Sequence, residues 1–177
     1  ASGALPLTYT VTEENGVFKV EVKRNQPGDY YLAVELDNME QIVYSKTHAD
    51  LLFFTNLGKV YRIRGYKVPA ATKNSKGTPY INLFDFEKEE KIKSIVTFDE
   101  YVEGQHLFFA TKDGVVKRTS IEEFKLIRQN GKKAITMREG DELVDVKLTT
   151  GSSIICMSCD NGRMVKFNED EIRVMGR

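Results

Sequence analysis

Long hydrophobic runs are missing from this 177-residue chain. No stretch approaches the ~20 consecutive apolar residues of a membrane-spanning helix, which argues against a helical membrane protein. No basic, apolar and small-residue leader opens the chain, so a cytoplasmic protein is the expectation. Net charge is missing too: 26 basic residues balance 26 acidic ones. A uniformly basic nucleic-acid binder is therefore excluded, and any such activity must come from how the charges are distributed. Cysteine is scarce, with only Cys156 and Cys159, in CMSC. A structural zinc needs about four ligands, and no second pair or neighbouring histidine supplies them. A redox dithiol belongs at a helix start, whereas IICMSC reads as a strand pointing the two thiols to opposite faces. Both cysteines are expected to be structural, as small hydrophobes. His48 and His106 each precede an apolar strand run and read as structural.

What is present suffices for a folded body. Hydrophobic residues make up 41% and can build a core; charged residues make up 29% and solvate a surface. The length suits one ordinary domain or part of a larger one.

The chain repeats. LLFFTNLGKVYRI (51–63), LFFATKDGVVKRT (107–119) and ICMSCDNGRMVKF (155–167) align on Gly58, Gly114 and Gly162. Each is an apolar run, a polar turn with glycine, then a second run, which is the signature of a β-hairpin. A weaker fourth copy is YTVTEENGVFKVEVK, with Gly16 at its turn. A second element alternates with these, in LAVELDNMEQIVYSK (32–46), GTPYINLFDFEKEEKIKSIV (77–96) and AITMREGDELVDVK (134–147). Each reads as a short strand, an acidic turn and another strand. Glycine spacings of 42, 56 and 48 residues then suit propeller-like blades of four short strands. The expected fold is all-β, a partial set of about three to four propeller-like blades. Residues 1–40 form a divergent segment, read as an appended tag (ASGALPL) plus part of a first blade, and 41–177 carry the blades. The one helix-like stretch is SIEEFKLI (120–127), with Ser120 as cap and Glu123 completing a capping box.

Charge alternates with the half-unit. Residues 51–84 carry Lys59, Arg62, Arg64, Lys67, Lys73 and Lys76 and no acid. Residues 85–103 carry seven acids against three bases, 104–138 eight bases against three acids, and 139–145 four acids and no base. In a radial repeat, equivalent half-units lie on equivalent surfaces, so this alternation predicts one basic rim and an acidic opposite side. Two residues past each turn glycine stand Val60, Val116 and Met164; four past stand Arg62, Arg118 and Lys166. Positions two apart share a strand face, so each strand is expected to begin in the core and end on the rim with a cation. Solvation alone explains any single strand-end cation, and Lys or Arg also protects an exposed edge. Recurrence at one repeat position favours a cation track, and phosphate binding asks for nothing more specific.

The runs LLFFTNLGKVYRIRGYKVPAATKNSKGTPYINLF, HLFFATKDGVVKRTSIEEF, IRQNGKKAITMREGDELVDVKLT and GRMVKFNEDEIRVMGR resemble the C-terminal domain of the bacterial DNA gyrase A subunit. The equivalent subunit of topoisomerase IV is the close alternative; the I-R-x-N-G and M-G-R runs favour gyrase. The resemblance covers about residues 40–177. It implies a β-pinwheel, a propeller-like disc whose basic outer rim binds and bends double-stranded DNA, supporting negative supercoiling by the whole ATP-dependent enzyme. It implies DNA contacts at Lys59, Arg62, Arg64, Lys73, Lys76, Lys117, Arg118, Arg128, Lys132, Lys133, Arg163 and Lys166. Implied partners are duplex DNA, the homodimeric remainder of the gyrase A subunit, and the gyrase B subunit, in the bacterial cytoplasm at the nucleoid. The family's Q-R-R-G-G-K-G-type motif is absent; KRNQPGD (23–29) lacks the glycine pair.

No catalytic constellation is visible, and no cofactor or metal is expected. NGKKAIT (130–136) has a Gly-Lys pair but no phosphate-binding loop spacing, and reads as a loop entering a strand. The acid pairs Glu89-Glu90 and Asp141-Glu142 read as solvated turns. The competing functional reading is a protein-interaction propeller with an incidental basic rim.

Overall fold

The structure, a computed structural model, describes residues 9–14, 17–22, 29–33, 42–72, 77–128 and 130–177. Two antiparallel pairs come first: β1 (Tyr9–Glu14) with β2 (Val17–Val22), and β3 (Asp29–Ala33) with β4 (Ile42–Lys46). The Gly16 turn and residues 23–28 of KRNQPGD lie outside the described residues.

The first complete blade is built on β5 (Asp50–Thr55) and β6 (Lys59–Arg64). All six β5 residues are buried. Its apolar run faces packing on both sides, as expected of a strand with no polar alternation. The hairpin turns on Gly58, whose φ of 73° is left-handed. The Gly58 N–H donates to the Thr55 carbonyl at 2.9 Å, and the Lys59 N–H donates to the Thr55 hydroxyl at 3.3 Å. β7 (Ile92–Phe98) pairs with the other edge of β5.

The second blade repeats this with β8 (His106–Thr111) and β9 (Val116–Ser120). Here Gly114 N–H donates to Thr111 carbonyl at 3.0 Å and Val115 N–H to the Thr111 hydroxyl at 3.1 Å. β10 (Lys132–Lys133) then returns to the first blade and pairs with β6. The fourth strand of one blade is thus supplied from beyond the next hairpin, giving the order β10-β6-β5-β7. β11 (Leu143–Thr149) completes the second sheet in the order β11-β8-β9. The last hairpin is β12 (Ile154–Ser158) with β13 (Met164–Asn168). After it, Val174 forms a parallel bridge to Arg118 and the Met175 N–H donates to the Arg118 carbonyl at 2.8 Å, so this segment runs along the edge of β9, in the opposite sense to the antiparallel β10–β6 pairing.

The main core lies between the two blades. Leu52, Phe54 and Val60 of the first meet Leu107, Phe109, Ile121 and Phe124 of the second. Phe54 and Phe109 stack edge-to-face at 5.4 Å. Each such buried side chain contributes about 1.5–3 kcal/mol. The Ser94 hydroxyl of β7 lies 2.9 Å from both Asp145 Oδ1 and the Val146 carbonyl of β11, joining the blades through polar groups as well. On the far face of β5, Leu51, Phe53 and Tyr61 pack with Phe84 under the 77–91 loop.

Several expectations change. The alternating element is not a hairpin in residues 77–96 or 134–147: only β7 and β11 form there, while the preceding halves are loop, save a single 3-10 turn at Tyr80–Asn82. Proline at 79 and the run of close acids at 85–90 leave no alternating strand pattern to pair. The stretch 120–127 holds one 3-10 turn, Ile121–Phe124, because Phe124 and Ile121 are drawn into the blade core. Ser120 accepts from the Glu122 N–H; the capping box belongs to Asn168 and Glu171 instead. Cys156 and Cys159 are free thiols exposed to solvent rather than packed as hydrophobes, since β12 and β13 form a two-stranded sheet. Cys159 occupies the turn position of Thr55 and Thr111: Gly162 N–H donates to its carbonyl at 3.1 Å.

Candidate nucleic-acid interface

The recurring cations divide into two populations. Arg62 and Arg64, two apart on β6, both turn to Asp50 at the start of β5. Arg64 Nε lies 3.1 Å and Arg62 Nε 3.6 Å from Asp50 Oδ1, and the Asp50 side chain is 2% exposed. Tyr101 donates its hydroxyl to Asp50 Oδ2 at 2.9 Å. Burial, then this bond, push the Tyr101 phenol up to about 12. Arg62 also donates to the Lys125 carbonyl, and Arg64 to the His48 carbonyl at 2.8 Å. These guanidiniums share one buried carboxylate and bind two loop carbonyls, so both are held by the fold, although a single acid neutralises only one of the two charges.

Lys117 and Arg118 go further inward, contrary to their expected place on a basic rim. Both are buried. Lys117 donates to the Ala134 carbonyl at 2.9 Å and lies over the Phe109 ring, 5.9 Å from its centroid. Burial, then the nearby Arg177 charge, lower its pKa. Arg118 Nη1 stands 3.8 Å from Glu169 Oε2, with the two side chains 9% and 0% exposed. The strand face that begins apolar does not emerge here: the Arg118 side chain is enclosed with Glu169 and near the Gly151 carbonyl.

The acid pairs are likewise half internal. Glu90 accepts from the Thr55 hydroxyl at 2.8 Å, the Tyr61 hydroxyl at 3.1 Å and the Glu87 N–H at 2.8 Å. Asp141 accepts from the Asp113 and Glu142 N–H groups at 3.0 and 2.8 Å. Burial raises the Asp141 carboxyl, but the Thr111 hydroxyl, these N–H groups and Arg138 together hold it below the usual range. Glu90 and Asp141 are buried partners of the two hairpin turns; Glu89 and Glu142 are exposed.

The second population faces water. Arg128, Lys132, Lys133, Arg163 and Lys166 are exposed, and among the described residues their charges have no ion-pair partner. Lys133 stands opposite Lys59 in the β10–β6 register, and Lys59 is neutralised by Glu87 at 2.5 Å. Lys132 and Lys133 therefore present an uncompensated pair on an edge strand. Lys73 and Lys76 lie outside the described residues. Lys67, Lys112, Arg138 and Arg173 are also exposed and were not singled out by the repeat; they sit in turns and loops, where strand periodicity gives no signal. Among the described residues, no group of three or more His, Cys, Asp or Glu could hold a metal ion, and no helix is long and apolar enough to cross a membrane.

Such a surface can attract phosphates without reading bases. Each uncompensated cation displaces one condensed counterion, whereas Arg118 cannot leave Glu169 without stranding a buried charge, and Arg62 is held to Asp50 and the Lys125 carbonyl.

The sequence matches the family described as DNA gyrase C-terminal domain, beta-propeller, over residues 49–99, 105–150 and 160–177. It is 46% identical over 143 residues to the DNA gyrase A subunit of Ureaplasma parvum serovar 3, covering 81% of this chain and 17% of that protein. The chain thus spans about a sixth of the length of the curated relatives it matches. Among solved structures, the C-terminal domain of DNA topoisomerase IV superposes with a TM-score of 0.70 at 24% identity, covering 78% of this chain and 43% of that one. The DNA gyrase A C-terminal domain superposes with a TM-score of 0.63 at 21% identity, covering 97% and 57%. These two likenesses establish the β-pinwheel architecture.

Proposed function

The chain belongs to the DNA gyrase C-terminal domain, beta-propeller family, and from that premise we propose that it is a non-catalytic module that binds and bends duplex DNA without sequence preference. One observation carries the reading: exposed cations without ion-pair partners are spread over β10, the loop before it and the last hairpin, while the remaining repeat-position cations are locked to internal acids. A rigid disc with cations on its rim gains contacts only if the duplex follows it. Bending by 40–90° costs roughly 1–6 kcal/mol, and a few phosphate contacts offset that at low salt. In the parent enzyme the module would work with the other domains of gyrase A and with gyrase B, at the nucleoid of a bacterial cell, supporting ATP-dependent supercoiling. The 42–46% identity to DNA gyrase A sequences supports gyrase over topoisomerase IV as that parent.

Fluorescence anisotropy of a labelled random-sequence duplex, titrated with the chain at about 50 and about 200 mM salt, tests this. A large affinity loss between the two is expected. Binding insensitive to salt, or none at either concentration, would overturn it.

A further inference from the structure

The first blade carries an exposed ion pair on its rim. Lys59 follows the turn glycine at the start of β6, and its ammonium lies 2.5 Å from Glu87 Oε1, with the two side chains 29% and 62% exposed. Lys133 of β10 stands directly opposite Lys59. Opposed residues of an antiparallel pair point to one face, with Cβ atoms about 4.5–5.5 Å apart, and like charges so placed repel each other. The Glu87 carboxylate offsets one of these two charges.

The hairpin does not need that carboxylate. Glu90 closes the Gly58 turn from inside through the Thr55 and Tyr61 hydroxyls, and its own N–H donates to the Glu87 carbonyl at 3.1 Å. In the second blade Asp141 takes the part of Glu90: it is bonded to the Thr111 hydroxyl, and its N–H donates to the Arg138 carbonyl at 3.2 Å. Glu87 and Arg138 therefore hold the same position, three residues before the buried acid, and the second turn closes with an exposed arginine there. Glu87 serves its own turn through the backbone, its N–H donating to Glu90 Oε2 at 2.8 Å. Its side chain is left for Lys59.

A carboxylate bonded to one lysine of an opposed pair takes the place that a backbone phosphate would take. A phosphate approaching the exposed Lys133 meets the like charge of Glu87 and finds Lys59 already paired, so one counterion fewer is released. We propose that the Lys59–Lys133 face is a phosphate site of the rim and that Glu87 competes with the duplex for it, withholding Lys59 and loosening the grip of the first blade relative to the second, where Arg138 stands instead. This rests on the DNA-binding reading and adds the residue that limits affinity at that surface.

The test uses the whole 177-residue chain and a labelled random-sequence duplex, followed by anisotropy at about 50 and about 200 mM salt. Glu87→Gln is expected to bind several-fold tighter at the lower salt. Its slope of log K against log salt should be steeper by about 0.9, one added contact, so the gain shrinks roughly 3.5-fold at the higher salt. Adding Lys59→Ser should remove the gain, measured against Lys59→Ser alone, and Glu89→Gln, at an exposed acid of the same loop, should give a smaller one. Unchanged affinity in Glu87→Gln, a gain that survives Lys59→Ser, or an equal gain from Glu89→Gln would overturn the competition and leave DNA binding standing. Failure of the unaltered chain to bind duplex in a salt-dependent way would remove the DNA reading and the competition together. The Glu87 side chain is exposed and its N–H is kept in the variant, so the fold is expected to persist; unchanged thermal melting checks this.

Discussion

The guanidinium of Arg118 stands 3.8 Å from the carboxylate of Glu169, and both are shut away from water. Glu169 also takes the Thr149 hydroxyl at 2.6 Å and the Ser153 N–H at 2.7 Å, so one acid ties the second blade to the last hairpin. Arg118→Ala leaves that acid buried without its cation. The expected destabilisation is about 3–5 kcal/mol, read as a lower urea midpoint with unchanged slope. A loss below about 0.5 kcal/mol, as for an ordinary exposed pair, would show the contact to be incidental. Charge reversal at Arg118 would therefore report on folding before it reported on DNA.

Acid should weaken the fold in two stages. Burial, then the Arg118 charge, lower the His106 pKa below its ordinary 6.5. The unfolded chain takes up that proton first, so stability falls as pH drops through about 6.5. Burial raises the Glu169 carboxyl, but the bonds from Thr149, Ser153 and Gly151 hold it below the usual value, as the turn does for Asp141. Their contribution is present above the ordinary carboxylate range and disappears as pH falls through the depressed pKa values. Urea midpoints should decline as pH falls through about 6.5 and again as it falls through and below the ordinary carboxylate range. A flat profile over that span, or a rise on acidification, would contradict the assignment.

Gly131 holds the returning strand against the first blade. Its φ is 74°, and a Cβ there would stand 2.6 Å from the Tyr61 ring. Gly131→Ala is expected to cost about 1–3 kcal/mol through backbone strain, with the clash adding to it. The local sign is faster hydrogen exchange at Ala134 and Ile135, whose N–H groups donate to the Gly58 carbonyl at 2.8 and 3.2 Å. Unchanged protection there would mean that the strand docks without the glycine.

The sequence made the hairpins legible because turn glycines and dense apolar runs mark them locally. Gly58, Gly114 and Gly162 all adopt the left-handed conformation that the alignment requires. The partner of each cation was not legible. Arg62 and Arg118 look alike in the repeat, yet one meets Asp50 on the preceding strand and the other meets Glu169 far along the chain. A repeat reports which residue stands at a position, whereas burial there depends on what packs over the strand. For the same reason the acids at 89–90 and 141–142 read as solvated turns, although Glu90 and Asp141 close the hairpins from inside. Lys132 and Lys133 were visible as cations, but their pairing with β6 joins residues some seventy apart and carries no local signal.

On the proposed reading, uncompensated cations, not the repeat-position arginines, hold DNA. The most direct test compares the salt dependence of duplex binding by the unaltered chain with that of Arg128→Ser, Lys132→Ser and Lys133→Ser combined. The slope of log K against log salt should become shallower by up to about 2.7, from roughly 0.9 per lost phosphate contact, with melting unchanged. An unchanged slope in a folded triple variant would contradict the account and place the DNA on another surface.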